Sequence, residues 1–142
     1  MLLVEDDEDH VFLVRRALAE VPGVEVTVEV VGDGEQATER LTRSRFKAGG
    51  RPQLVLLDLK MPRMDGLEVL RRIRSQARTA GLPVVVLTTS NEERDIVESY
   101  RLGANSFVRK PVVFEEFVEA ANVLGVYWLL VNQPAPPWRG GD

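Results

Sequence analysis

The chain has no cysteine, and His10 is its single histidine. The first absence excludes disulfides, thiolate metal sites and cysteine nucleophiles, and the second leaves too few nitrogen ligands for an ordinary zinc site. No apolar run approaches the roughly 18 residues of a membrane span. Positive charge is short as well: 18 Lys and Arg stand against 22 Asp and Glu, for a net charge of −4. That balance argues against nonspecific nucleic-acid binding, which needs basic patches. No basic leader precedes the acids that begin at Glu5, so a cytoplasmic protein is expected. The first apolar run starts so close to Met1 that a few native residues before it are a further expectation. What remains is ordinary for a globular protein, 44% hydrophobic and 28% charged over 142 residues, enough for one domain with a good core.

Strand-like and helix-like segments alternate along it. Leu2–Val4 reads as a short buried strand, and Val11, Phe12, Val14, Leu18 and Ala19 then recur at helical spacing. Pro22-Gly23 breaks that helix. Val24–Val30 (VEVTVEV) alternates strictly and is β-branched, as in a strand with one wetter face near an edge. Asp33-Gly-Glu-Gln36 fits a capping box for a helix to about Ser44. QLVLLD is a continuous apolar run ending in an acid, as in a strand buried on both faces. Asp65-Gly-Leu-Glu68 caps a helix to about Ala77, PVVVLTT is another buried strand, and Ser90-Asn-Glu-Glu93 caps a helix ending near Gly103. Ser106–Arg109 is a short strand, and a last long helix follows Pro111. Five β-α units in succession imply a parallel sheet with helices on both faces. The expected domain spans 1–131, with an extended last helix and a flexible Pro/Gly-rich tail over 132–142.

In such a sheet, ligands bind at the carboxyl ends of the strands. The first strand ends in Glu5-Asp6-Asp7, the third in Asp58, the fourth in Thr88-Thr89, and the fifth runs into Lys110-Pro111. Singly, each has a plain structural reading as a cap, a turn or β-branched filler. Together they gather three acids, a hydroxyl and an amine at one edge. Carboxylate oxygens without nitrogen or sulfur partners suit Mg²⁺ or Mn²⁺, and Glu5, Asp6 and Asp58 supply them. Asp7, Glu8 and Asp9 read as the solvated start of the first helix, where acids meet the positive end of the dipole. His10 on that helix is expected to be exposed and without a role.

The pair Glu5-Asp6, the lone Asp58 in LLDLKMPRMDG, Thr88 after PVVVL and Lys110-Pro111 after GANSFVR resemble, in order and spacing, the receiver domains of two-component response regulators. The match runs from Leu2 to about Val123. It implies a flavodoxin-like fold with strand order 2-1-3-4-5 and phosphorylation of Asp58 by a sensor histidine kinase. It also implies metal binding by Glu5, Asp6, Asp58 and the Lys60 backbone carbonyl, phosphoryl binding by Thr88 and Lys110, and a switch through Thr88 and Phe107. By the same resemblance Lys60 and Ser90 flank the route of attacking water and tune the phosphoryl lifetime, and Lys110-Pro111 is a cis peptide. The family often has Asp where this chain has Glu5, and the longer side chain still reaches a metal through water.

Two other functions fit the fold class less well. A flavin-nucleotide binder needs a phosphate loop where Glu5-Asp6-Asp7 stand and would repel the phosphate. A dehalogenase-type phosphatase wants a second acid two residues after its nucleophile, where this chain has Lys60. A pseudo-receiver that only binds partners is the remaining alternative. No helix-turn-helix is expected to fit after the last helix, so the expected output is a protein contact or a phosphorelay step, without DNA or membrane. The apolar run Val126–Val131, with Tyr127, Trp128, Leu129 and Leu130, is expected to form a homodimer interface. The loop Arg45–Pro52 and this ending resemble the small response regulators that accompany bacterial phytochromes, which implies a light-regulated kinase as partner.

Overall fold

The computed structural model describes residues 1–42 and 51–136. The order of elements is β1 (Leu2–Val4), α1 (Glu8–Ala19), β2 (Glu29–Val31), α2 (Gly34–Thr42), β3 (Val55–Leu57), α3 (Gly66–Arg74), β4 (Val84–Thr88), α4 (Glu93–Arg101), β5 (Ser106–Arg109) and α5 (Phe114–Val126). A π-helical turn, Tyr127–Val131, continues α5. All strand pairs are parallel, in the order β2-β1-β3-β4-β5, so the flavodoxin-like expectation holds.

The inner strands β1, β3 and β4 are apolar up to their carboxyl ends because both faces of the sheet are covered, and alternate residues feed two separate cores, whereas the edge strands β2 and β5 carry Glu29, Ser106 and Arg109. Leu2, Val4, Val55, Leu57, Val84 and Val86 meet Ala37 and Leu41 of α2 and Val69, Leu70 and Ile73 of α3. Leu3, Leu56, Val85 and Leu87 meet α1 and α5 on the other face. Helix α1 buries Leu13, Val14, Ala17 and Leu18. This corrects the stripe read from the sequence, since Phe12 is 63% exposed. Helix α5 buries Phe117, Ala121, Leu124 and Gly125, whereas Phe114 is exposed under the Arg16 guanidinium, 5.3 Å from its ring centroid.

Strand β2 is shorter than Val24–Val30. Its register pairs Leu2 with Glu29, so residues 24–27 extend past the start of β1 and have little neighbour to pair with. That stretch is held by Val24 and Val26 packing on the α1/α5 core and by the Met1 ammonium donating to the Thr27 carbonyl at 2.9 Å. Helix α3 ends at Arg74, short of Ala77, where the Ser75 hydroxyl donates back to the Arg72 carbonyl at 2.8 Å. The expected continuation of α2 to Ser44, most of the loop Arg45–Pro52 and the tail beyond residue 136 lie outside the described residues.

Arg74 organises the edge of the sheet remote from the strand carboxyl ends. Its guanidinium donates to the carbonyls of Gly103 (2.9 Å), Ala80 (2.9 Å) and Leu82 (2.8 Å) and to Asn105 Oδ1 (2.8 Å). Asn105 Oδ1 also accepts the Val84 N–H at 2.8 Å, so one side chain joins the end of α3, the start of β4 and the turn after α4. Gly103 takes a φ of +101°, which favours glycine there.

Candidate functional site

The residues of the site stand at the carboxyl ends of the strands: Glu5, Asp58 and Thr88 on the buried strands β1, β3 and β4, and Lys110 after the edge strand β5. The ladder runs one step past β1 and β3: the Glu5 N–H donates to the Val31 carbonyl and the Asp58 N–H to the Val4 carbonyl, both at 3.0 Å. Those bonds bring Glu5 and Asp58 side by side at the edge, both buried. Asp6 is exposed, and one carboxylate oxygen from each of Glu5, Asp6 and Asp58 lies within 4.8 Å of the others. Asp7 is the N-cap of α1, accepting from the N–H groups of Asp9 (2.9 Å) and His10 (3.2 Å). The run of five acids therefore divides as expected, with Glu5 and Asp6 at the cluster and the rest at the helix start.

Lys110, 4% exposed, comes over from β5. Its ammonium pairs with Glu5 Oε1, lies 3.1 Å from Asp58 Oδ2 and 2.8 Å from His10 Nδ1. The last contact corrects the expectation for His10, which is half-buried and stacked on Phe117 at 5.3 Å. Its position at the third residue of α1, directly above the strand edge, was a sequence signal. Its neighbours Lys110 and Phe117 lie 100 or more residues away in sequence, which is why these contacts stayed hidden.

The Lys60 N–H donates to Asp58 Oδ1 at 3.1 Å, while its side chain turns away to Asp95 Oδ2 at 3.7 Å. Ser90 does not cap α4. Its hydroxyl donates to Asp95 Oδ2 at 2.5 Å, and the N-cap position falls to Glu92, which makes no side-chain capping bond. Asp95 thus links the two positions expected to flank the water route, a connection the sequence did not reveal. Thr88 is fully buried, its Oγ1 accepting the Ser90 N–H at 3.4 Å. Phe107 is half-buried against the α2/α3 core, and its N–H donates to the Tyr100 hydroxyl at 3.1 Å. No cis peptide bond occurs among the described residues, so Lys110-Pro111 is trans, contrary to expectation. The Lys110 N–H bonds the Thr88 carbonyl at 2.7 Å and extends the β5 ladder to the proline in the lower-energy isomer.

Burial pushes the Glu5 carboxyl up to about 7, against the hydrogen bond and charge of Lys110. Burial acts in the same sense on Asp58, but the Lys110 ammonium, the Glu5 carboxyl and the Lys60 N–H together hold Asp58 below its usual value. Near neutrality, then, Asp58 is an ionised carboxylate and Glu5 is the group that still carries part of a proton. The folded chain binds that proton more tightly than the unfolded chain. The contribution of Glu5 to stability is therefore complete below the ordinary 4.5 and lost as pH rises through about 7. Asp58 has the opposite linkage, but its window lies below 3.8. In chelator, urea unfolding is expected to lose on the order of 2–3 kcal/mol between about pH 5 and pH 8 from this group. Glu5→Gln is expected to remove that loss; an equally steep profile in the variant would assign it elsewhere.

The oxygen-only donor set fits a hard divalent cation. Among the described residues, no helix is long and apolar enough to cross a membrane. The family profile of the response regulator receiver domain matches residues 1–122. A probable methanogenesis regulatory protein, FilR2 of Methanothrix harundinacea, is 38% identical over 96% of this chain and 88% of its own length. Response regulator Rcp1 of Synechocystis is 34% identical over 95% of this chain and 92% of its own. The crystal structure of Rcp1 in its Mn²⁺-bound form superposes with a TM-score of 0.86, covering 95% of this chain and 97% of that one. The phosphorylated cyanobacterial phytochrome response regulator RcpA superposes with a TM-score of 0.88 at 35% identity, covering 95% of this chain and 96% of that one. With the acids, the hydroxyl and the lysine converging at the strand ends of this fold, the chain belongs to the response regulator receiver family.

Proposed function

We propose that the chain is a single-domain response regulator that accepts a phosphoryl group on Asp58 from a phosphohistidine of a sensor histidine kinase. The observation that carries this is Asp58 itself: buried, held ionised, 3.1 Å from the Lys110 ammonium and clustered with the Glu5 and Asp6 carboxylates. An Asp58 oxygen attacks phosphorus, the bond from phosphorus to the kinase nitrogen breaks, and an acyl phosphate forms. Glu5, Asp6, Asp58 and the Lys60 carbonyl would hold Mg²⁺ or Mn²⁺, which supplies charge neutralisation between the carboxylates and the phosphoryl oxygens. Lys110 and the Thr88 hydroxyl bind the remaining phosphoryl oxygens. Catalysis consists of positioning and charge stabilisation, performed by the chain on itself as acceptor and later on water.

The output is a switch in which Thr88 is drawn toward the new oxygens and Phe107 repacks in β5, read by a protein partner. Similarity to the phytochrome regulator RcpA over nearly its whole length supports a light-regulated kinase as the phosphoryl donor, and a cytoplasmic location belongs to the same reading. A homodimer through α4, β5, α5 and the segment after it is part of the same reading. Its support is the exposure of Tyr127 and Leu130, at 47% and 43%. Trp128 and Leu129 fold back on the α1/α5 core and add little free surface. The receiver body extends to Val131 in this reading, with residues 132–142 as a tail. Lys60 and Ser90, joined through Asp95, govern water access and give a lifetime of minutes or more.

Intact mass after incubation with acetyl phosphate tests the proposal. One phosphoryl mass is expected to be gained with Mg²⁺, not in chelator, and not by Asp58→Asn. Lys60→Ala followed over the same time course is expected to lose the group faster, and an unchanged rate would remove Lys60 from lifetime control. Size-exclusion chromatography of the same samples reads the dimer. No mass gain by wild type would leave a pseudo-receiver that acts by binding alone.

A further inference from the structure

Lys110 Nζ carries three N–H donors, and the structure finds an acceptor for each: Glu5 Oε1, Asp58 Oδ2 at 3.1 Å and His10 Nδ1 at 2.8 Å. An ammonium has no lone pair, so Nδ1 accepts and the imidazole is the neutral tautomer with its hydrogen on Nε2. The carboxylate oxygens nearest the same ring nitrogen, Glu5 Oε1 and Asp7 Oδ2, lie farther off at 3.5 and 3.6 Å. The ring has little freedom. Its backbone N–H is held by the Asp7 cap at 3.2 Å, and one face is stacked on Phe117 of α5 with an interplanar angle of 29°.

We propose that His10 is a positioning residue for Lys110, a fixed neutral acceptor that holds the ammonium over the Asp58 carboxylate where a phosphoryl oxygen arrives. The chemistry explains why a neutral group serves. A third carboxylate would compete with the phosphoryl group for the ammonium and add to the repulsion an incoming anion meets. An apolar side chain would leave one donor of a buried cation unmatched, at a cost, and let the flexible lysine stem swing toward Glu5. An imidazole clamped between α1 and α5 satisfies the donor and leaves the charge intact for the reaction. When the phosphoryl group takes Asp58's share of the ammonium, His10 still orients it. The inference rests on Lys110 serving as phosphoryl ligand, as argued above.

His10→Phe keeps a ring against Phe117 and removes the acceptor, whereas His10→Asn places an amide oxygen close to where Nδ1 stands. With acetyl phosphate and Mg²⁺, His10→Phe is expected to slow uptake by about tenfold and His10→Asn to stay within about threefold of wild type. In a Lys110→Ala background His10→Phe is expected to change nothing further, the signature of a residue acting through the lysine. The Lys110 ammonium resonance in nitrogen-detected NMR supplies a readout that needs no turnover: visible and slowly exchanging in wild type and His10→Asn, broadened away in His10→Phe. Equal uptake rates and a persistent resonance in His10→Phe, in a variant that melts like wild type, would overturn the assignment. If wild type takes up no phosphoryl group, the proposed function fails, and the resonance alone still decides whether His10 positions Lys110.

Discussion

Replacing Lys110 by alanine is expected to slow phosphoryl uptake at Asp58 by about two to three orders of magnitude, the typical effect of deleting one preorganised charge-stabilising donor. The reasoning starts from charge. Glu5 and Asp58 leave adjacent buried strand ends, and the ammonium between them lets both stay in one dry site. Without it, an approaching phosphoryl anion meets two carboxylates whose repulsion is unrelieved on the β5 side. The same deletion acts on the resting protein. Removing the cation from a buried pair costs about 3–5 kcal/mol when the partner charges remain, and part of that is recovered by protonation of Glu5, already lifted to about 7. Lys110→Ala is therefore expected to melt lower at pH 8 than at pH 6 by a wider margin than wild type. Initial rates of mass gain across acetyl phosphate concentrations check the first effect, and thermal melts at the two pH values check the second. Uptake within a factor of about three of wild type would mean that Lys110 is a structural ion-pair partner only.

The second large effect lies in the backbone. Gly66 opens α3, and a Cβ on it would sit 2.4 Å from the Asp58 carbonyl oxygen and 2.8 Å from the Leu59 Cα. Both are main-chain atoms, so no rotamer change can relieve the contact. Either the first turn of α3 moves off or the segment carrying Asp58 is displaced. Gly66→Ala is expected to cost at least about 3 kcal/mol, a fall in melting temperature of roughly 10 °C, even though alanine is the better helix former. Phosphoryl uptake by the folded fraction is expected to fall as well, because the displaced atoms belong to the acceptor's own peptide. A control at Gly125, where a Cβ would meet the end of the Leu18 side chain (Cδ2, 2.4 Å) instead of backbone, is expected to be milder. A melting curve for Gly66→Ala that overlays wild type would refute the close-approach argument.

The strand-end acids were readable because each stands where an unbroken apolar run stops, and a charged residue there has only the sheet's edge to occupy. The sheet order followed once those runs were matched to a known family. The extent of β2 was not readable, since the length of a strand is set by the neighbour it pairs with, and β1 offers only Leu2–Val4. Ser90 looked like a helix cap because Ser-x-x-Glu is a local pattern. Its Oγ instead accepts the Glu92 N–H at 3.3 Å, one residue ahead of the helix, while its hydroxyl donates to the Asp95 carboxylate. His10 and the Trp128–Leu129 contacts with the core were missed for a different reason: their partners are far away in sequence, and periodicity reports only which face is apolar, not what covers it. The α1 stripe shows the same limit, since Phe12 and Leu13 are both apolar and only packing against β3 and α5 decides between them.

Arg74 gives α4 a mechanical character. The helix buries a single residue, Ser99, so little apolar area fixes it to the sheet. At its far end the Gly103 carbonyl is bound by a guanidinium that also grips the α3–β4 turn and Asn105. At its near end Asp95 is tied to Ser90, two residues beyond Thr88. A rod riveted at one end and tethered at the other cannot slide. If phosphorylation draws Thr88 inward as proposed, α4 is expected to tilt about the Arg74 rivet, with its nine residues as the lever arm and its first turn travelling farthest.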